Sequence, residues 1–207
     1  MMSSLPMVFL VAVMFGCAAF LAMQAGEAIC KRVTPFEDGP APGKPPAIAL
    51  LVGSTLLGGI LASRGLDLPG LAISALLCVA LVAAWYCDVR CGIVPDTFTL
   101  LPLAIVLAVA AFSREWSALV SAAVVFAPFA CAALLSRGRG MGWGDVKLAA
   151  LGGAVLGVQT AILAAAAACI IATTVSALQK RGKSQPIAFA PYLSGAIALG
   201  LLFPFAL

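Results

Sequence analysis

Long apolar runs separated by short polar breaks dominate this chain of 207 residues. A membrane-spanning helix needs roughly 20 consecutive apolar residues, with about 17 as a lower limit. Most of the runs reach or approach that length. The pattern therefore predicts an all-α polytopic membrane protein with about eight transmembrane helices. The predicted spans lie at about 5–26, 47–63, 70–87, 97–112, 117–135, 145–157, 159–178 and 189–205.

The boundary between the sixth and seventh runs is the least obvious one, because only glycines and Gln159 interrupt the apolar sequence there. A single helix from Asp145 to Leu178 would be about 50 Å long at roughly 1.5 Å per residue. That length far exceeds the ~30 Å thickness of the hydrocarbon core. We therefore predict that the chain reverses direction near Gly157–Gln159.

The basic residues give the orientation of these helices, because cytoplasmic loops of membrane proteins are enriched in Lys and Arg. With the N-terminus outside, ten basic residues lie in inner breaks and two lie in outer breaks, which explains the net charge of +4 without a nucleic-acid partner. The inner residues are Lys31, Arg32, Lys44, Arg90, Arg137, Arg139, Lys147, Lys180, Arg181 and Lys183, and the outer ones are Arg64 and Arg114.

Composition agrees with a single membrane domain over 1–207. Sixty-three per cent of the residues are hydrophobic and ten per cent are charged, whereas soluble domains have roughly 25% charged residues. The Pro- and Gly-rich stretch 27–46 is predicted to be an extended cytoplasmic linker. The first apolar run lacks a basic residue before it and is long enough to span, so we expect a retained helix.

Several kinds of chemistry are excluded by the residue types present. Histidine is absent, which removes Ser–His and Cys–His catalysis and the commonest metal ligand. None of the seven cysteines forms a C-x-x-C pair, so we expect small buried side chains and neither a metal site nor a cofactor. A redox or ligand role remains open for Cys87 and Cys91, which flank a loop.

Three aspartates, Asp88, Asp96 and Asp145, lie where an apolar run begins or ends on the predicted cytoplasmic side. A single one could simply mark the membrane interface. Two carboxylates that share a site cannot both ionise easily, so one holds a proton while the other is an anion. Such a pair can activate water and protonate a carbonyl without a metal or histidine. Glycines before Asp145 would let an extended substrate approach it; they are Gly138, Gly140, Gly142 and Gly144.

Two segments carry a family resemblance. Residues 88–96, D-V-R-C-G-I-V-P-D, resemble the D-x-R-x-x-x-[IV]-P-[DN] segment of type IV prepilin peptidases, and residues 142–148, G-W-G-D-V-K-L, match their G-x-G-D-[VI]-K-L motif. Residues 187–193, I-A-F-A-P-Y-L, resemble the family's I-P-F-G-P-[FY]-L segment, with Ala188 and Ala190 replacing Pro and Gly. The resemblance covers about 85–207 well and the first half only in outline.

The resemblance implies an aspartic endopeptidase in the bacterial inner membrane that removes the cytoplasmic leader from type IV pilin-like precursors. It assigns Asp88 and Asp145 as the catalytic pair. Supporting roles would fall to Gly142, Gly144, Arg90, Asp96 and Lys147. Asp96 would form a hydrogen bond or cap the fourth helix, and is the alternative first member of the pair. Arg90 and Lys147 could stabilise a nearby carboxylate or, as we prefer, bind lipid phosphates.

Family members often carry paired C-x-x-C motifs after the first helix, where this chain has the linker 27–46. The family's second activity, N-methylation of the trimmed pilin with S-adenosylmethionine, is therefore not assigned. Three alternatives stay open: an intramembrane protease of the presenilin or signal-peptide-peptidase type, a small ion-coupled transporter, and a purely structural membrane subunit. A transporter would place its carboxylates near the middle of the bilayer.

Overall fold

The computed structural model describes residues 5–32, 45–136, 141–178 and 188–203. Every regular element within these ranges is helical. The elements are α1 (Leu5–Cys30), α2 (Ala47–Ser63), α3 (Leu68–Cys91), a 3-10 helix (Asp96–Phe98), α4 (Leu100–Phe112), α5 (Trp116–Leu135), α6 (Trp143–Leu178) and α7 (Ala190–Leu202).

Four of these helices, α1, α3, α5 and α6, are long and apolar enough to cross a membrane, and the described part of the chain holds three shorter apolar helices. Large apolar side chains also cover the outside of the bundle: Phe9 is 72% exposed, Phe112 is 90% exposed and Leu135 is 86% exposed. Helices that are apolar on all sides need lipid as their solvent. The predicted class, an all-α membrane protein, is confirmed.

Helix α6 is interrupted at Gly157, whose φ is 77° and whose ψ is 168°. This combination is essentially restricted to glycine. A Cβ placed on Gly200 of α7 would lie 2.7 Å from Leu156 Cδ1 and 3.4 Å from Thr160 Cγ2, so both flanks of the break pack against α7. The helix is therefore broken at Gly157, in the stretch where the sequence predicts a reversal, and the break divides α6 into segments 143–156 and 158–178. The reversal itself stays a prediction.

Helix α3 lies at the centre of the bundle because it contributes to two hydrophobic clusters. One cluster joins α3 to α6 and α7, for example through Leu77, Leu151 and Leu193. The other joins α3 to α1 and α2, for example through Cys78, Phe15 and Leu57. The three helices that carry the candidate site, α3, α6 and α7, are thus held together by a shared core.

Two boundaries differ from the predicted ones. Helix α1 continues to Cys30, so the predicted linker 27–46 begins inside a helix, and residues 33–44 of that linker lie outside the described residues. Helix α3 continues to Cys91, so Asp88 lies in its last turn and not after its end. The helix stops at Gly92, whose left-handed φ of 68° is accessible to glycine at no steric cost. Residues 137–140 and 179–187, which belong to the predicted inner breaks 136–147 and 179–188, also lie outside the described residues.

Candidate active site

Asp88 is buried in the last turn of α3, with 8% of its surface exposed. The Ala190 N–H donates a hydrogen bond to Asp88 Oδ2 across 3.0 Å. Ala190 is the first residue of α7, and the first N–H groups of a helix have no acceptor within that helix. The start of α7 therefore holds the Asp88 carboxyl group in place.

Asp145 is the third residue of α6 and is equally buried, with 9% of its surface exposed. Its carboxyl group lies beside the backbone of Gly142, where Oδ2 would be 3.6 Å from a Cβ added to that glycine. The Asp145 N–H donates to the Gly142 carbonyl oxygen at 3.1 Å. This arrangement resembles a capping box, in which the side chain of the third helical residue reaches back to the backbone of the residue that precedes the helix. It fixes the position of Asp145 from within its own helix.

One oxygen of Asp145, Oδ1, is buried and has no hydrogen-bond partner among the described residues. Such an atom costs free energy, and native structures retain few of them outside functional sites. The charge of Asp88 acts directly on the Asp145 carboxyl group. The two predicted aspartates therefore share one buried site, which we call the aspartate pair.

A second contact joins the two sequence motifs next to the aspartate pair. Gly144 packs so closely on the segment after α3 that an added Cβ would lie 2.6 Å from Val94 Cβ and 3.3 Å from the Val94 carbonyl oxygen. Real Cβ atoms do not approach this closely. Gly144, the second glycine of G-x-G-D, thus has no room for a side chain, because Val94 occupies the adjacent space. Gly142 is less restricted, because its nearest neighbour would be Asp145 Oδ2 at 3.6 Å.

Asp96 and Lys147 form an ion pair between the 3-10 helix and α6. Their side chains are 62% and 24% exposed respectively. The expectation that Asp96 forms a hydrogen bond is met, whereas its predicted role as a cap of the fourth helix is wrong, because Thr99 precedes α4 without a side-chain cap. Lys147 therefore pairs with Asp96, whereas the sequence analysis preferred a lipid phosphate as its partner.

The remaining predicted site residues fall into two groups. Arg90 is exposed at the end of α3. Gly138 and Gly140 lie outside the described residues.

Sequence analysis missed two residues that contact the site, Ala190, which donates to Asp88, and Val94, which packs against Gly144. The signal for Ala190 was its place at the start of an apolar run just before Pro191, since proline is favoured in the first turn of a helix.

The cysteines depart in part from the expectation of small buried side chains. Cys78 and Cys87 are buried, but Cys17, Cys131 and Cys169 are exposed. Cys30 and Cys91 form a disulfide between the ends of α1 and α3, with their Cα atoms 6.1 Å apart. The sequence analysis did not anticipate this pairing, which joins residues 61 positions apart.

Comparisons with known proteins identify the family. Residues 75–177 match the model of the type IV leader peptidase family. The chain is 34% identical over 180 residues to a prepilin leader peptidase/N-methyltransferase from Dickeya chrysanthemi, a match that covers 76% of this chain and 59% of the relative. The chain therefore spans little more than half the length of that relative. No solved structure gives a significant match. From the matched segment, which contains both members of the aspartate pair, we conclude that the chain belongs to the type IV leader peptidase family.

Proposed function

We propose that this chain is an aspartic endopeptidase that removes the leader from type IV pilin-like precursors, with Asp88 and Asp145 as its catalytic residues. The observation that carries the proposal is the aspartate pair itself. Two buried carboxyl groups, one in the last turn of α3 and one in the first turn of α6, lie within range of each other's charge, and one of their oxygens has no partner among the described residues. The relative from Dickeya chrysanthemi is a prepilin leader peptidase by name.

The pair supplies both an acid and a base for peptide hydrolysis. One proton is shared between the two carboxyl groups, and it belongs to the pair and not to one residue. The anionic carboxylate takes a proton from a water molecule, whose oxygen attacks the carbonyl carbon of the scissile bond. The protonated carboxyl group donates to the carbonyl oxygen. Collapse of the tetrahedral intermediate then breaks the C–N bond, as the carboxyl group that took up the water proton donates it to the leaving amine and the carbonyl oxygen returns its proton to the other carboxylate.

We further propose a multi-pass arrangement in the bacterial inner membrane, with eight spans, the N-terminus outside and the aspartate pair at the cytoplasmic face. The excess of basic residues in the proposed inner breaks supports this orientation. A pilin-like precursor has a short polar leader in the cytoplasm and an apolar helix in the bilayer. A cut between them requires the pair at the membrane edge, which agrees with its place in the last turn of α3 and the first turn of α6.

The alternatives receive less support. A transporter would require carboxylates near the middle of its spans, whereas Asp88 and Asp145 lie at helix ends. The family match is to leader peptidases and not to presenilin-type enzymes. Our proposal concerns leader removal alone and does not extend to methylation.

The test is cleavage of a pilin-like precursor by the purified full chain in lipid vesicles, followed by mass spectrometry of the products. We expect Asp88→Asn and Asp145→Asn each to lower the rate by at least about a thousandfold, because residues that act as a unit lose nearly all activity when one is removed. The double variant should be no slower than either single one.

Asp96→Asn is the matched control, since it neutralises the other aspartate of the segment 88–96 that contains Asp88. It should keep most of the activity. If the two Asn variants of the pair cleave like the wild type, the aspartyl mechanism is wrong. If only Asp96→Asn abolishes cleavage, Asp96 and not Asp88 is the first catalytic residue.

A further inference from the structure

We propose that an apolar cavity between α2, α3 and α7 is the docking site for the hydrophobic helix of the substrate that follows the cleaved bond. This inference rests on the proposed function and adds a binding surface to it. The cavity has a volume of about 350 Å³ and is lined almost entirely by apolar side chains. Its rim consists of exposed residues, including Leu56, Ile60 and Leu199, so that it opens to the outside of the bundle.

The cavity begins one helical turn from the aspartate pair on two of its three helices. On α3, Trp85 lines the cavity and precedes Asp88 by three residues. On α7, Ser194 lines it and follows Ala190, whose N–H holds Asp88, by four residues. One turn of helix advances about 5.4 Å. A helix lying in the cavity would therefore present its end to the aspartate pair.

A buried polar atom at the cavity wall indicates a ligand with a hydrogen-bonding group. The Ser194 hydroxyl is 1% exposed and has no hydrogen-bond partner among the described residues. Ser54 of α2, by contrast, lies beside the Cys78 thiol of α3 in the wall of the same cavity. Serine hydroxyls form hydrogen bonds between helices in membranes. The Ser194 hydroxyl thus lacks the kind of partner that the polar groups of a polypeptide supply, whereas a lipid acyl chain offers no such group.

The wall also has room for close approach of a second helix. Gly53 of α2 lines the cavity, and a Cβ added there would meet no atom within 4 Å. Gly195 faces it from α7, where an added Cβ would lie at an ordinary 3.6 Å from Trp85 Cζ3. Small residues at such positions allow the backbones of two membrane helices to come together. Because Gly53 has free space, a larger residue there fills the cavity without disturbing the bundle.

The experiment compares two substrates: a full precursor in vesicles, and a short peptide that contains the leader and a few residues after the cut but no apolar helix. Gly53→Leu should lower kcat/KM for the precursor by roughly tenfold, mostly through KM, and leave peptide cleavage within about twofold. Ser194→Ala should act in the same direction with a smaller effect. Ala123→Leu is the control, because Ala123 is exposed on α5, which packs against α4 and α6. If Gly53→Leu lowers kcat/KM equally for both substrates, or for neither, the proposal of a docking site is wrong.

A second measurement does not depend on cleavage and so separates failure of the docking site from failure of the proposed function. A photoreactive phenylalanine derivative replaces Gly53 in an Asp145→Asn background and is illuminated with the precursor in vesicles. We expect a cross-link to the apolar helix of the precursor and none from the same derivative at Ala123. Cross-links to lipid alone would show that the cavity holds acyl chains and would contradict the inference, even if the wild type cleaves the precursor.

Discussion

Helix α6 depends on glycine in two regions, for two different reasons. At its start, Gly144 has no room for a side chain, because Val94 occupies the space where a Cβ would be. At its break, Gly157 has open space within 4 Å but a backbone conformation with φ of 77°. Gly144 allows the two motifs to pack together, and Gly157 allows the backbone conformation that breaks the helix. Substitutions should therefore harm activity at one region and stability at the other.

The largest effect is expected from Gly144→Ala. The added Cβ must displace Val94 or shift Asp145, and overpacking of this kind costs about 1–3 kcal/mol, which corresponds to a loss of kcat/KM of roughly 5- to 160-fold if the whole cost is felt at the aspartate pair. Gly142→Ala should be much milder, since its nearest neighbour would lie at 3.6 Å. Precursor cleavage by the purified variants measures both.

Compensation tests the cause of that loss. Val94→Gly removes the Cβ that opposes Gly144 and should restore most of the activity of Gly144→Ala. Val94→Ala retains that Cβ and should restore little. If both second substitutions rescue equally, or neither does, the clash with Val94 is not the reason that glycine is required.

A smaller effect is expected at the ion pair that also joins the two motifs. Lys147→Met and Asp96→Asn should each lower kcat/KM by at most about fivefold, because ion pairs with exposed partners contribute roughly 0–1 kcal/mol. The double variant should match the single ones, as expected when both remove the same interaction. Additive losses in this cycle would indicate that the two side chains act separately.

The smallest effect on activity is expected from Gly157→Ala, which should instead lower the free energy of unfolding by about 1–3 kcal/mol. Gly157→Asn should be no better, since asparagine tolerates the left-handed helical region but not a ψ of 168°. Thermal unfolding in one detergent compares them, with Gly53→Ala as a helical glycine control that should be neutral or stabilising. Normal stability of the Asn variant would contradict the role given to this conformation.

Much of the architecture could be predicted from the sequence because lipid imposes long apolar runs and glycine marks where they break. The aspartate pair could be predicted because two motifs that resemble those of one family each place an aspartate at the end of an apolar run, whereas a single aspartate there could simply mark the membrane interface. The exact end of α3 could not be predicted. In the sequence, a charged residue such as Asp88 looks like the point where an apolar span stops, although the helix continues to Cys91. Contacts between distant residues, such as Lys147 with Asp96 and Ala190 with Asp88, leave no local pattern.

The disulfide between Cys30 and Cys91 links α1 to the last turn of α3, three residues beyond Asp88. Glutathione and thioredoxin keep thiols reduced in the cytosol, whereas the opposite side of the membrane favours disulfides. In the orientation we propose, these two sulfur atoms face the reducing compartment, so we expect two adjacent thiols in the intact cell, and a disulfide there would contradict that orientation. The redox state of Cys30 and Cys91 therefore depends on the orientation of the protein in the membrane. Rapid alkylation of thiols in intact cells measures that state, and so tests which side of the bilayer the aspartate pair faces.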